Sequence, residues 1–378
     1  MPDQSRDDLM RVLHVIPSLA ERSGGPAAAL VPMCRALQAE GVDVLLATTS
    51  HGLTQTSTEN LREYKGVPSR FFPVQLGASF KYSRPLTNWL RSSVKDFDVV
   101  HIHAVFNHSS VAAASACRKA GVPYVVRPLG TLDPWSMKQK PVRKHLFWFL
   151  FAKRLLQGSA AMHYTAAAEK AATEKYLGLN HGRVIPLGVQ VKGAHHSDLL
   201  RKQDPYLLSL SRLHWKKGLD QLIEAFNSLN DQRWRLIVAG DGPRDYLELL
   251  KSKARNSPRI VFTGWVEGNQ KEELIRGASL FVLPSRHENF GLSVVEAMAC
   301  AVPVLVSPHV NLAAEIQNAE AGWVVDFRDL KDALESVICD EAERLRRGRA
   351  AYELAKRFSW DNVATDLTEL YEEVLSRT

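Results

Sequence analysis

The stretch SLFVLPSRHENFGLSVVEAMACAVPVLVS, residues 279–307, predicts a buried strand, a loop, a helix and a second strand in direct succession. The helix is expected to start near Phe290 or Gly291. Glu288 then lies in the loop that follows the first strand, and Glu296 lies in the second turn of the helix. Because ligands of parallel sheets bind outside the carboxyl ends of the strands, both carboxylates are candidates for a ligand site.

The same alternation of strands and helices recurs through most of the chain. One set occupies residues 11–130, and a second set begins at residue 206. Between them, residues 181–205 are polar and glycine-rich and predict a linker. This βαβ order favours two doubly wound parallel-sheet α/β domains, residues 1–190 and 200–358, which face each other across a cleft.

Composition narrows the class of protein. The 378 residues carry a formal net charge of +7, which favours anionic partners such as nucleotides, phosphosugars or lipid head groups. A nucleic-acid binder is disfavoured because the bases are dispersed along the chain. The first residues are acidic rather than basic, and no apolar run approaches the roughly 18 residues of a membrane span, so we expect a cytoplasmic protein.

Scattered cysteines without a CxxC pair predict buried, reduced thiols: Cys34, Cys117, Cys300 and Cys339.

A glycine-rich segment, SGGPAAAL (23–30), follows the first strand and opens the first helix. Gly24 and Gly25 allow close approach of the backbone, and a helix N-terminus favours an anion. An ordinary strand-to-helix turn explains the same residues equally well. The segment is neither GxGxxG nor a P-loop, which disfavours dinucleotide and ATP sites.

The second domain begins with similar signals. SLSRLHWKKG (209–218) places Arg212 and Lys217 just after its first strand, where a diphosphate would bind, although solvated surface bases remain an alternative. Gly240 and Gly242 form another tight turn at a strand end and would allow a ligand to approach closely.

The two acids of the opening stretch suit the sugars of a ligand. A carboxylate that accepts two hydrogen bonds fits a ribose diol, and a loop carboxylate fits the hydroxyls of a second sugar. The free amides at the start of the helix suit a phosphate. Considered alone, two glutamates beside a helix are more often solvated.

The order and spacing of SRL-x3-KG, AGDGP and E-x7-E resemble the C-terminal domain of retaining glycosyltransferases of family 4. The SGGP loop, the DVVHIH strand and the closing FSWDNVATDLTELYEEVL (358–375) are also similar to that family, so the resemblance spans nearly the whole chain. It implies the GT-B fold, with two Rossmann-like domains and a C-terminal helix, residues 360–378, that packs back on the first domain.

The resemblance also implies roles for individual residues. Arg212 and Lys217 would bind the donor diphosphate and Glu288 the transferred sugar, and these three would be the catalytic residues. Glu296 would bind the ribose. The remaining donor-pocket residues would be Asn289, Phe290, Gly291, Gly240 and Gly242, and Gly24 and Gly25 would meet phosphate and acceptor. The family generally needs no metal, and we expect neither a metal nor another cofactor here.

The first domain departs from the family pattern. Many members carry a histidine after the strand equivalent to PYVVRP, whereas this chain has Arg127 and Asp133 there, so no catalytic residue is assigned in this half. His101 and His103 alternate on a strand, from which we predict that only one faces the cleft. Asp96-Phe97-Asp98 has the DxD spelling of a metal site but leads into a strand and is interpreted as a turn.

The segment KQKPVRKHLFWFLFAKRLLQG (138–158) mixes bases with aromatic and aliphatic residues. It fits either a core helix with a solvated basic face or an amphipathic surface that contacts anionic lipid. The resulting prediction is a retaining glycosyltransferase that moves a hexose from a UDP- or GDP-sugar to a glycan or lipid-linked glycan, at or near the inner membrane face. The alternatives are a catalytically silent nucleotide-sugar-binding protein and, with less support, a dinucleotide-dependent oxidoreductase or epimerase.

Overall fold

The computed structural model describes residues 9–20, 24–53, 61–77, 79–139, 141–191, 205–255 and 257–377. The chain divides into two compact units, the first formed by residues 1–188 and 360–378 and the second by residues 189–359. Each unit is built on a sheet that is parallel except at one edge of the first, which confirms the predicted α/β class.

The sheet of the first unit has the strand order β3-β4-β2-β1-β5-β6-β7-β8, and within the described ranges only β3 runs antiparallel to its neighbour. Its central strands are almost wholly buried, as expected for a parallel sheet covered on both faces. The strands are β1 (Arg11–Ile16), β2 (Asp43–Thr49), β3 (Arg62–Tyr64), β4 (Val67–Phe72), β5 (Val99–His103), β6 (Tyr124–Arg127), β7 (Ala161–Tyr164) and β8 (Gly182–Val184).

Helices connect these strands, and a five-residue π-helical turn, Trp148–Ala152, lies between α5 and α6. Apolar side chains of α2, α3 and α6 pack on one face of the sheet and form its main hydrophobic core. The helices are α1 (Gly25–Ala39), α2 (Arg84–Ser93), α3 (His108–Ala120), α4 (Pro134–Met137), α5 (Pro141–Phe147), α6 (Lys153–Gln157) and α7 (Ala167–Leu177).

The sheet of the second unit is wholly parallel and has the order β11-β10-β9-β12-β13-β14. The order reverses between β9 and β12, and such a switch point opens a crevice at the carboxyl ends of the two strands. The strands are β9 (Tyr206–Leu210), β10 (Arg235–Ala239), β11 (Ile260–Gly264), β12 (Leu280–Leu283), β13 (Val304–Val306) and β14 (Gly322–Val324). The helices are α8 (Leu219–Asn227), α9 (Arg244–Ala254), α10 (Gly268–Arg276), α11 (Leu292–Ala299), α12 (Ala313–Asn318), α13 (Leu330–Cys339) and α14 (Glu341–Lys356).

The last helix, α15 (Trp360–Ser376), belongs to the first unit. Its Tyr371 hydroxyl hydrogen-bonds to His101 of β5 at 2.7 Å. Gly188 lies directly against the Trp360 ring, where a Cβ atom would come within 2.2 Å of the indole. This glycine therefore allows the chain to leave the first unit beside the point at which it returns.

Several smaller predictions can be compared with the structure. Asp98 accepts a hydrogen bond from the backbone N–H of Arg11 at 2.7 Å, which agrees with the turn interpretation of the DxD spelling. Cys34 and Cys117 are buried as predicted, Cys300 is half-buried, and Cys339 is exposed, so the prediction of burial was wrong for Cys339. Residues 192–204 of the predicted linker lie outside the described residues.

Among the residues that are described, none of the helices has both the length and the apolar composition needed to cross a bilayer.

Candidate functional site

The candidate site lies at the switch point of the second unit, where the loop after β9 meets the loop after β12. Gly218 has φ +66°, and a Cβ atom there would come within 2.0 Å of the Pro284 carbonyl oxygen. The backbone N–H of Arg286 donates to the Lys216 carbonyl at 2.7 Å. The two loops are thus in direct backbone contact, because only glycine fits at residue 218.

Lys217 and Glu288 form an ion pair at this junction, and each side chain is only 17% exposed. Burial acts to raise the pKa of the Glu288 carboxyl, but the charge and hydrogen bond of Lys217, helped by Lys216 and His287, outweigh it and lower that pKa. Glu288 therefore remains ionised and can accept hydrogen bonds from a ligand. The structure brings together two of the three residues that the sequence indicated as catalytic.

The third, Arg212, is exposed in the loop after β9. The pKa of the nearby His214 imidazole is lowered by burial and then by the charges of Arg212, Lys216 and Lys217. The charges of three cations therefore act on this imidazole and disfavour its protonation. The positive potential of this loop favours an anion such as a diphosphate.

Glu296 lies in the second turn of α11 and accepts a hydrogen bond from the Lys271 ammonium of α10 at 2.6 Å. About a quarter of each side chain is exposed. Lys271 was missed by the sequence analysis, because a single base in an amphipathic helix carries no signal of its partner. Glu288 and Glu296 are thus each paired with a different lysine.

The residues between the two acids form the start of α11. Gly291 has φ +82° and precedes the helix, which begins at Leu292 without a side-chain cap. Asn289 is half-buried in the same loop. The Phe290 side chain is buried and packs edge-to-face on Phe358 with ring centroids 5.9 Å apart, so only its backbone can contribute to a donor pocket.

Gly240 and Gly242 pack against protein backbone. Gly240 has φ +135°, and a Cβ atom there would come within 1.9 Å of the Ser211 carbonyl oxygen. A Cβ atom on Gly242 would come within 2.1 Å of the Leu213 carbonyl oxygen. These glycines therefore let the turn after β10 pack closely on the loop that carries Arg212, and their predicted contact with a ligand stays a prediction.

Gly24 and Gly25 lie in the first unit. Gly24 has φ +94° and precedes α1, whose first residue is Gly25. The N–H groups of Ala27 and Ala28 donate to the Gly24 carbonyl at 3.1 and 3.3 Å. The strand-to-helix turn predicted from the sequence is present.

A cluster of four buried histidines occupies the first unit: His14, His101, His103 and His163. The rings of His101 and His103 stack with centroids 4.4 Å apart, so the prediction that only one of them faces the cleft was wrong. Residues two apart on a strand project to the same face, and both of these side chains are fully buried in the core.

Hydrogen bonds join the four histidines of this cluster in two pairs, His14 with His103 at 3.0 Å and His101 with His163. His163 Nε2 donates to the Ile185 carbonyl at 2.8 Å, and its Nδ1 is 3.2 Å from His101 Nε2. Burial, followed by the charge of Arg127, lowers the pKa of both His14 and His163 to about 3. The imidazoles are therefore neutral at physiological pH.

Arg127, which the sequence analysis singled out, is fully buried beside these rings. Its Nη1 lies 3.7 Å from the Met33 sulfur, whereas Nε and Nη2 have no hydrogen-bond partner among the described residues. Nitrogen atoms of His14, His101 and His103 lie within 4.8 Å of one another, a spacing compatible with metal ligation. The guanidinium charge opposes a cation there, so we assign no metal to this cluster.

The two parallel-sheet units, one built on β1 to β8 and the other on β9 to β14, define the class of the protein, which is the GT-B fold. The structure is similar to Anabaena HepE, solved in complex with UDP and glucose, with a TM-score of 0.76 over 96% of this chain and 100% of that one. The sequences are only 18% identical, so this likeness concerns the fold alone.

Two family models match the chain, one in each unit. Residues 24–188 match the glycosyl transferase 4-like domain, and residues 192–354 match the glycosyl transferases group 1. The chain therefore belongs to the group 1 glycosyl transferases, as its motifs indicated.

Curated relatives are similar over part of their length. An uncharacterized glycosyltransferase of Methanocaldococcus jannaschii is 30% identical over 46% of each chain. A serotype-specific mannosyltransferase of Escherichia coli is 25% identical over 71% of this chain and 36% of that protein. The chain thus spans less than half the length of these relatives.

Proposed function

We propose that this protein is a retaining hexosyltransferase that takes its sugar from a nucleotide-sugar, UDP- or GDP-linked, and delivers it to a glycan or lipid-linked glycan of the cell envelope. The observation that carries the proposal is the Lys217–Glu288 ion pair, held at the switch point of a parallel sheet beside the uncapped start of α11. HepE was solved with UDP and glucose, which supports a donor of this class.

Each charged residue of the site has a separate role in this proposal. Arg212 and Lys217 neutralise the charge that develops on the departing diphosphate, which is the largest contribution that such a site can make. Glu296 accepts the hydroxyls of the ribose. Glu288 accepts hydroxyls of the transferred sugar, and its ion pair with Lys217 keeps it ionised.

We further propose that transfer needs no metal. Lys216, together with Arg212 and Lys217, places three positive charges around His214, and these bases can replace a divalent cation beside the diphosphate. Neither a metal nor a prosthetic group has a role in this proposal.

A panel of nucleoside diphosphates and their sugars tests the donor class. A ligand at about 100 times its dissociation constant stabilises the folded state by roughly 2.7 kcal/mol, which a thermal-shift measurement detects. The donor so identified is then incubated with candidate acceptors, and the anomeric configuration of the product is determined by proton NMR. We expect retention; inversion, or the absence of binding by every member of the panel, would contradict the proposal.

We also propose that the protein acts on the cytoplasmic side of a membrane and contacts its anionic surface through an apolar ridge, which consists of Val142, Leu146, Phe149 and Leu150. These four side chains are 83, 61, 75 and 59% exposed. Their spacing places them along one side of α5 and the π-helical turn.

The inward side of the same segment already packs on the core, through Phe147, Trp148 and Leu155. The ridge is therefore additional apolar surface, and the alternative of a purely core helix does not explain it. Exposed bases, Lys153 and Arg154, lie in α6 directly after the π-helical turn. Exposed aromatic and aliphatic residues beside bases suit the head-group region of an anionic bilayer.

Not every base of the predicted surface is available for lipid. Lys144 donates to the Ser136 carbonyl at 2.7 Å and lies over the Phe106 ring. Lys140 and the Arg143 side chain lie outside the described residues. The variants that test the ridge therefore use residues of the ridge itself and the two bases of α6.

Vesicle co-sedimentation tests this surface. We expect binding to phosphatidylcholine vesicles to rise when phosphatidylglycerol is added and to fall with salt. Binding should drop in Phe149→Ser/Leu150→Ser and in Lys153→Gln/Arg154→Gln, but not in Lys251→Gln, which removes an exposed base of the second unit. A wild-type protein that ignores anionic vesicles at low salt would overturn the membrane proposal and leave the donor site untouched.

A further inference from the structure

We propose that Arg286 is a positioning residue that holds the loops carrying Lys217 and Glu288 in the relative placement that a donor diphosphate requires. This inference rests on the proposed function and adds a residue that the sequence motifs did not reveal. Arg286 precedes Glu288 by two positions, and its side chain extends across to the other loop.

The guanidinium makes three hydrogen bonds across the junction. Nη1 donates to the Trp215 carbonyl at 2.6 Å and to Asp220 Oδ1 at 3.0 Å. Nη2 donates to Asp220 Oδ2 at 2.9 Å, which completes a two-pronged bond to the carboxylate. The guanidinium also lies 5.5 Å from the centroid of the Phe327 ring.

These contacts bracket Lys217 on both sides. Trp215 begins the 3-10 turn that ends at Lys217, and Asp220 lies in the first turn of α8, three residues after the lysine. Arg286 therefore fixes the backbone before and after Lys217 to the loop that holds Glu288. Its side chain and that of Asp220 are only 26 and 22% exposed, so the pair is less screened by solvent than a surface pair.

A lysine cannot replace this arginine. One ammonium on a flexible chain cannot span both carboxylate oxygens and a backbone carbonyl in one plane, as the guanidinium does. The Lys217 ammonium must reach the diphosphate while it stays beside Glu288, and a shift of its loop would misplace it. The part of the site that binds ribose, Glu296 with Lys271, lies on α11 and α10 and makes none of these contacts.

The role of Arg286 therefore predicts a specific loss. Binding of a nucleoside diphosphate depends on Lys217 and should weaken when Arg286 is replaced, whereas binding of the monophosphate should not. We expect the preference for UDP over UMP to fall by about tenfold in Arg286→Lys, with the dissociation constant for UMP within about twofold of the wild-type value. GDP with GMP and ADP with AMP serve equally if the donor carries another base.

The experiment is a calorimetric titration of each pair of nucleotides into wild type, Arg286→Lys, Asp220→Asn and Arg233→Lys. Asp220→Asn keeps the shape of the partner and provides a second test if Arg286→Lys folds poorly. Arg233 is the matched control, because its Nε and Nη2 donate to Oδ1 and Oδ2 of Asp231, a similar two-pronged bond at the surface of the same unit. We expect Arg233→Lys to retain the wild-type preference.

The outcomes separate this inference from the proposed function. A folded Arg286→Lys or Asp220→Asn protein with the full preference for the diphosphate would overturn the positioning role. An equal loss of monophosphate and diphosphate binding would also overturn it, since that result indicates a general structural role. A wild-type protein that binds no diphosphate more tightly than its monophosphate would overturn the donor site itself, and the role of Arg286 with it.

Discussion

Each unit of this molecule holds a group of titratable residues, and the two groups differ in how their charge is treated. In the second unit, Glu288 and Glu296 are each paired with a lysine and partly open to solvent, and the ion pair keeps the pKa of Glu288 low. In the first unit, the histidine cluster is fully buried and stays neutral beside the charged Arg127. A cluster of titratable groups therefore indicates a ligand site only where its charge is retained and accessible.

The largest effect that we expect from this difference is acid instability caused by the histidine cluster. The folded-state pKa values of these imidazoles lie below the unfolded value near 6.5, so the unfolded state binds more protons in acid. The contribution of the neutral imidazoles to the unfolding free energy is fully present well above pH 6.5. It decreases as the pH falls below 6.5, until the pKa values of the folded state are reached. At pH 5.5 each histidine costs about 1.4 kcal/mol, or roughly 6 kcal/mol for all four.

Urea unfolding at pH 7.5 and 5.5 measures this loss. A single replacement, His163→Gln, should reduce the number of protons taken up on unfolding in acid by about one. The unfolding free energy should then depend less steeply on pH. His145→Gln, which removes an exposed histidine of α5, is the control for the substitution itself. Equal stability at the two pH values would show that the cluster is already protonated or accessible in the folded protein.

Replacing Lys217 tests the other side of the comparison. Lys217→Ala removes the charge that stabilises the leaving diphosphate, and transfer should fall by about 10²- to 10³-fold. Lys253→Ala, which breaks the surface pair with Glu224, should retain activity within about twofold. The measurement is the initial rate of nucleoside diphosphate release at saturating donor.

The matching change in the first unit is Tyr371→Phe, which removes the hydrogen bond to His101. It should lower the unfolding free energy by about 1–3 kcal/mol and leave the transfer rate within about twofold. If Tyr371→Phe reduced transfer as much as Lys217→Ala, the contrast between a structural cluster and a ligand site would be lost.

The smallest expected effect concerns metal removal. Excess EDTA should change the transfer rate by less than about twofold, because bases already surround the proposed diphosphate position. The assay compares rates with EDTA, with Mg²⁺ and with Mn²⁺ at fixed donor concentration. An activity that EDTA abolishes and only Mn²⁺ or Mg²⁺ restores would show that the donor site had been misinterpreted.

More of the fold than of the charged site could be predicted from the sequence. Apolar runs and glycine turns are local signals, so the class of both sheets and the positions of Glu288 and Glu296 followed from the sequence. Lys271 and Arg286 could not be found in this way, because each is defined by a partner 25 or more residues away in sequence.

The glycines and histidines show a second kind of limit. Gly240 and Gly242 were predicted to allow a ligand to approach; protein backbone lies where each Cβ atom would be, and only the packing reveals this. His101 and His103 share a face because of strand geometry, which the sequence analysis applied wrongly. Short strands such as β3 and β8 carry too few residues for a periodic signal.

The most direct test of the central claim is calorimetric titration of wild type, Glu296→Ala and Lys253→Ala with UDP-glucose and GDP-mannose. The account predicts that one donor binds the wild type saturably, and that Glu296→Ala binds it about 10- to 100-fold more weakly, because the ribose loses its acceptor. Lys253→Ala should bind as the wild type does. Unchanged affinity in a folded Glu296→Ala protein, or the absence of binding by both donors in the wild type, would contradict the assignment of this site to a nucleotide-sugar.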